Sequence, residues 1–338
     1  MVRRSVCGLG LLLLGTAAAP TVGDAQAEVP GRDRVRLAEA MRLADKLGNE
    51  IWPGWSATPM RVLLVTDSVE FLIGHSEPSA DFARLGHDSL LKREVWTRPR
   101  QFPPTLLATF PAVSGKPTIV IGSAERTDKS STAWVLTLLH EHFHQWQSSQ
   151  PDYYAGVAGL DLARGDTTGM WMLDYAFPYD SAPIQQAVRG LAMALGQALD
   201  APPGARDSAL KKVVSARETL RGRLTAADYR YFEFQLWQEG VARFIEYAAA
   251  RAASADSGKP SAAFERLADY EPYSAAAAEA RRGLRRELEQ LALGRQRRIA
   301  FYPLGAAMAL VLEETRPDWK QAYGRRPFEL AALLPATR

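Results

Sequence analysis

The chain has 338 residues, with 41 Lys and Arg against 38 Asp and Glu and a formal charge of +3. So close a balance gives no reason to expect nucleic acid or an anionic membrane as a partner. The only cysteine is Cys7, which excludes a disulfide framework and, for any metal, sulfur ligands from the body of the chain.

The N-terminus reads Met1-Val2-Arg3-Arg4, then an apolar run over 6–19, then Ala25-Gln26-Ala27 before Glu28. A basic start, a short apolar segment and an A-x-A site form a secretory signal peptide. The run is too short for a convincing membrane span. Cleavage after Ala27 leaves 311 residues and a formal charge of +2, since Arg3, Arg4 and Asp24 are removed. The expected product is exported, periplasmic or extracellular, without cysteine and without a membrane span.

After a short leader, Val35, Leu37, Ala40, Met41, Ala44 and Leu47 fit a helix over 34–47, closed by Gly48. A turn with Trp52 and Trp55 follows. Short β-branched or aromatic runs at 61–66, 69–73, 90–97, 106–110 and 118–121, separated by Gly, Pro, Ser and Asp, predict a mostly antiparallel sheet. Beyond Ser130 the sequence turns helical, with Ala-rich stretches at 205–222, 227–253 and 261–298 and loops at 200–204 and 254–260. The expected class is α+β: a helix and sheet over 28–125, then a helical part over 126–338.

Within the first predicted helix of that part stands His140-Glu141-His142-Phe143-His144, the H-E-x-x-H pattern. Positions i and i+4 share one helix face, so His140 and His144 can grip one metal ion, and Glu141 can reach a water beside it as general base. His142 points elsewhere. The apolar Val135, Leu136, Leu138 and Leu139 suit a helix driven into a core. A catalytic zinc takes a third protein ligand. No His follows His144 and sulfur is excluded, so that ligand is a carboxylate. Glu239, before Gly240 in a segment with an apolar stripe of Val241, Phe244, Ile245 and Ala248, is the leading candidate. Glu246, Asp161 and Asp174 are the others, and Glu246 has a second possible role as acceptor for a ligand imidazole. Gly240 costs about 1 kcal/mol inside a helix. Close approach of another backbone, expected to be that of the His140 helix, would compensate.

His140-Glu141-x-x-His144 with Glu239-Gly240-x-Ala242 resembles the gluzincin metallopeptidases, in particular the neutral zinc aminopeptidases. Phe301-Tyr302-Pro303-Leu304-Gly305-Ala306 resembles the family's Tyr-x-x-Gly-Ala segment. The resemblance implies one zinc on His140, His144 and Glu239, with Glu141 as base and Tyr302 as donor to the tetrahedral intermediate, and peptide or protein as substrate. A phenol is a suitable neutral donor for that task.

The chain also departs from the family. Ninety-four residues, 145–238, separate His144 from Glu239, where the family has far fewer. This implies a helical insertion whose Trp171, Tyr175, Phe177 and Tyr179 line a cleft or pack in the core. The Gly-x-Met-x-Asn signature is absent. Gly122-Ser123-Ala124-Glu125 keeps only its Gly and Glu, with Glu125 as a weak candidate anchor for a substrate amine. The strand at 118–121 is expected to pair with an extended peptide. The alternative function is a non-catalytic exported module that holds zinc or binds peptide.

Overall fold

The computed structural model describes residues 28–255 and 259–334. The signal-peptide expectation falls on residues outside these. Helix α1 (Gly31–Ile51) leads through an aromatic turn into six strands: β1 (Val62–Val65), β2 (Val69–Ile73), β3 (Ala83–Asp88), β4 (Arg93–Pro99), β5 (Leu107–Val113) and β6 (Lys116–Gly122). Helices follow: α2 (Ser131–Ser148), α3 (Tyr153–Gly159), α4 (Trp171–Asp174), α5 (Ala182–Asp200), α6 (Arg206–Arg221), α7 (Ala226–Gln235), α8 (Val241–Ala253), α9 (Ala262–Glu265), α10 (Tyr273–Glu289), α11 (Leu293–Gln296), α12 (Phe301–Thr315) and α13 (Trp319–Arg325). The class is α+β, as expected. Among the described residues no helix is long and apolar enough to cross a membrane.

The sheet runs β3-β4-β2-β1-β6-β5. All neighbours are antiparallel except β1 and β6. Alternation splits its side chains. Val62, Leu64, Phe71, Ile73, Ile119 and Ile121 face the main core with the helices. Leu63, Val65, Leu72 and Val120 build a smaller cluster on the other face. The edge strand β5 is set by its hairpin with β6. Ser114 and Gly115 have φ of 47° and 68°, the two positive values of the turn that matches strand twist. Val113 thereby pairs with Lys116 and Thr109 with Ile119.

Three boundaries differ from expectation. Gly48 does not end α1; a Cβ there would lie 3.1 Å from the Ser56 nitrogen, so glycine admits a neighbouring backbone. Leu90 does not begin a strand, because the Asp88 carboxylate accepts the N–H groups of Leu90 and Leu91 at 2.9 Å and holds a turn. The stretch 261–298 is not one helix but α9, α10 and α11, parted around Asp269–Pro272 and again at Gln290–Ala292. Strand β3, with the sequence Ala-Arg-Leu-Gly-His-Asp, is half exposed and bulged near Gly86. It carries no apolar alternation to betray it.

Helix α2 is buried on nearly every side, Trp134, Val135, Leu138, Leu139 and Phe143 completely. Such a helix belongs inside a core. Ser130 caps it, accepting from the Ala133 N–H at 3.3 Å. Gln145 ties it to the sheet by donating to the carbonyls of Arg61 and Pro117 at 2.9 and 3.0 Å.

Candidate metal centre

His140 and His144 lie one turn apart near the end of α2, and their Nε2 atoms are 3.1 Å apart. Glu239 Oε2 lies 3.5 Å from His144 Nε2 and 3.8 Å from His140 Nε2. These three residues form a group able to hold a metal ion, and Glu239 is only 16% exposed. Asp161 and Asp174 are not in it.

Each imidazole is oriented from behind. His140 Nδ1 is 2.8 Å from Glu246 Oε1, whose other oxygen accepts from Arg243 at 2.6 Å. Glu246 therefore takes the role of acceptor, not of ligand. His144 Nδ1 is 2.6 Å from Gln147 Oε1. The Gln147 amide is pinned the right way round: its nitrogen donates to Tyr323 Oη at 2.7 Å, and Tyr323 donates to the Trp237 carbonyl at 2.7 Å. The Gln238 amide nitrogen also lies 3.1 Å from His144 Nδ1. The shorter contact, to an amide oxygen fixed by its own nitrogen's bonds, puts the proton on Nδ1. Both rings thus turn Nε2 toward each other and toward a carboxylate. Such a grouping favours a positive charge among its members, carried by a proton or by a metal ion. The preference for positive charge is visible in His140: burial works against a charge there, but Glu239 and Glu246 outweigh it and raise the group to about 10. For Glu239, burial is likewise overcome by the two imidazoles, and its carboxyl is held well below the usual range.

Glu239 sits in a π turn, Leu236–Gly240, that joins α7 to α8. Such turns re-aim side chains within a helix and recur at functional sites. Gly240 supplies the expected close approach, but its partner is α12 rather than α2. A Cβ on Gly305 would fall 2.6 Å from Gly240 Cα and from the Leu236 carbonyl oxygen. Only two glycines let these backbones touch. The contact locks the motif at 239–240 to the motif at 302–306, three residues after Tyr302.

Tyr302 stands over the centre, its ring nearly parallel to that of His140 at a 6.5 Å centroid distance. Burial and Glu239 raise its hydroxyl above the ordinary range, so it is a neutral donor at physiological pH. Glu141 is buried, and Thr109 of β5 reaches its Oε2 at 2.8 Å. His142 is also buried but faces away, with Nε2 3.0 Å from the Thr58 carbonyl. Burial depresses it to about 4.

Two expectations move, and a third resolves to one of its two alternatives. Glu125 is bound to Arg36 at 2.8 Å and Arg32 at 3.0 Å, in an ion-pair cluster at the opposite end of α2. It anchors structure rather than substrate. Strand β6 is paired on both sides, by β1 and β5, so the sheet edge on its side belongs to β5 and the opposite edge to β3. Trp171, Tyr175, Phe177 and Tyr179 are buried and pack on Phe234, Tyr231 and Phe301 as core. Three contributors escaped the sequence reading: Gln147, Thr109 and Arg298. Only Gln147 left a trace, three residues after His144 on the same helix face. Arg298 Nη1 donates to the Tyr302 hydroxyl at 2.7 Å and lies 3.5 Å from Glu239 Oε1.

The chain was compared with protein-family models, curated proteins and solved structures, and none matches.

Proposed function

We propose that this protein is a zinc-dependent peptidase of gluzincin type, with His140, His144 and Glu239 as the zinc ligands. The observation that carries the reading is the convergence of two Nδ1-anchored imidazoles and one carboxylate at separations of 3.1, 3.5 and 3.8 Å. Ligand atoms about 2.0–2.2 Å from a tetrahedral zinc stand roughly 3.3–3.6 Å apart, so the donors suit that ion in type and their separations bracket its spacing. A structural zinc takes four protein ligands, a catalytic one three. Among the described residues the group contains three donors, which favours catalysis over a non-catalytic zinc module.

When bound, zinc supplies Lewis acidity and lowers the pKa of a water toward about 7. Glu141 takes the proton of the attacking water and passes it to the leaving amine. Thr109 holds the carboxylate from the edge strand while it does so. Tyr302 donates its hydroxyl proton in a hydrogen bond to the oxygen on which negative charge develops. An extended peptide added to the free edge of β5 would run past Thr109 and hence past Glu141.

Incubation with a peptide library, read by mass spectrometry, tests the reading. The wild type should cleave peptides. Glu141→Gln should keep zinc and fold but lose most turnover, because an amide cannot take the proton. Wild-type turnover by a folded, zinc-loaded Glu141→Gln protein would exclude Glu141 as base.

A further inference from the structure

Among the described residues, Arg298 brings a guanidinium within 3.5 Å of the Glu239 carboxylate, and the mechanism above leaves it idle. Its side chain is 19% exposed. It sits in the short turn Arg297–Ala300 that delivers the chain into α12. The residue before it, Arg297, has φ 52° and ψ −134°, a backbone conformation that residues with a Cβ rarely adopt. Arg297 turns outward to Asp180 at 2.7 Å, while Arg298 turns inward to Tyr302. Strain of this kind persists only where its surroundings impose it, and it gathers at functional sites. The phenol oxygen accepts from Arg298 Nη1 at 2.7 Å. A phenol has one proton to give. With the guanidinium on its acceptor side, that proton points away from Arg298 and toward Glu239, the hydroxyl's other hydrogen-bond partner.

We propose that Arg298 is a positioning residue of the reaction: it holds the Tyr302 hydroxyl as acceptor and aims its proton at the developing oxyanion. The inference rests on the peptidase reading. It predicts that Arg298 acts through Tyr302 and in the transition state, where the oxyanion exists, rather than in substrate binding. A merely structural arginine would affect stability or zinc content and would act independently of the hydroxyl.

The test uses zinc-loaded enzyme and the best-cleaved peptide of the library. Arg298→Met should lower kcat about ten- to a hundred-fold, somewhat less than the hundred- to thousand-fold expected of an oxyanion donor itself, with KM and zinc content little changed. Arg298→Lys should recover part of the loss. In a Tyr302→Phe background, Arg298→Met should cost little more, since its target hydroxyl is gone. Affinity for a peptide phosphonamidate, a tetrahedral anion, should fall with Arg298→Met when Tyr302 is present and not when it is Phe. Should Arg298→Met fail to fold, Arg298→Gln, which keeps a polar end without the charge, carries the same test. Equal losses in the Tyr302 and Phe backgrounds, or wild-type kcat in Arg298→Met, would overturn this inference alone. No turnover of any peptide by the wild type would overturn it together with the peptidase reading.

Discussion

The two ends of helix α2 carry polar clusters of similar size and opposite logic. At the N-terminal end, Arg36 is completely buried yet fully engaged. It donates to Asp33, Glu125 and Ser131 at 2.8 Å, and Ser131 gives its N–H to Asp269 at 3.0 Å. Every donor meets an acceptor, and the cluster closes on itself. At the C-terminal end the hydrogen bonds of Glu246 and Gln147 lie behind the imidazoles, while in front two ring nitrogens and a carboxylate converge in a group able to hold a metal ion. A closed network fastens a helix to its neighbours; an open convergence of ring nitrogens and a carboxylate is able to hold a metal ion. Charge content alone would not separate the two ends. Glu125 and Glu239 are both carboxylates near α2, and only the inventory of partners tells structure from site.

The comparison can be broken most severely at the glycine contact that assembles the open end. Gly305→Ala puts a Cβ 2.6 Å from two backbone atoms, so α12 and the π turn must part. Overpacking of this kind costs about 1–3 kcal/mol or more. Because Tyr302 and Glu239 move with those backbones, activity should fall about a hundred-fold even where the protein folds. Thermal unfolding and peptide turnover would check both effects. An active Gly305→Ala protein of wild-type stability would mean that the contact does not position the site.

A smaller effect is expected from Glu246→Ala, which removes the acceptor behind His140. Loss of such a partner weakens metal affinity about ten- to a hundred-fold, measurable by competition with a chelator. Unchanged affinity would show that His140 needs no support from behind.

Smallest is Glu125→Gln at the closed end. The hydrogen bond from Arg36 holds Glu125 down to about 2, below the value of 4.5 it takes when unfolded. Its contribution is therefore present above pH 4.5 and fades as the pH falls toward 2. With the side chain half exposed, the loss in Glu125→Gln should stay below about 1 kcal/mol. Urea unfolding should show this deficit at pH 7 and a smaller one at pH 3.5, with peptide turnover unchanged. A large loss of turnover would return Glu125 to the site.

How much of this could be read from the sequence depended on the range of each interaction. The pair His140 and His144 was legible because helical periodicity alone puts i and i+4 together. The strands with β-branched runs were legible for the same local reason, and β3 was not, because it is polar and bulged. Eliminating other ligand types reached only a carboxylate, since 94 residues intervene, and Glu239 stood ahead of Glu246, Asp161 and Asp174 through its packed segment with Gly240 and the resemblance. The π turn that aims it leaves no mark in composition. Gly240 announced a close approach but not its partner, as nothing local pairs it with Gly305. Gln147, Thr109 and Arg298 serve through long-range hydrogen bonds, and residues of those types are common everywhere. The free edge was misplaced by one strand because hydrophobicity makes β6 conspicuous, and being buried between β1 and β5 is what makes it so hydrophobic.

The central claim, that the open end of α2 holds zinc, is tested most directly by elemental analysis of purified protein expressed in zinc-replete medium. The account predicts about one zinc per chain in the wild type, lost in His140→Ala, in His144→Ala and in Glu239→Ala, and retained in Asp161→Ala and Asp174→Ala. A wild-type protein without zinc, or a Glu239→Ala protein that keeps it while Asp161→Ala or Asp174→Ala loses it, would contradict the assignment.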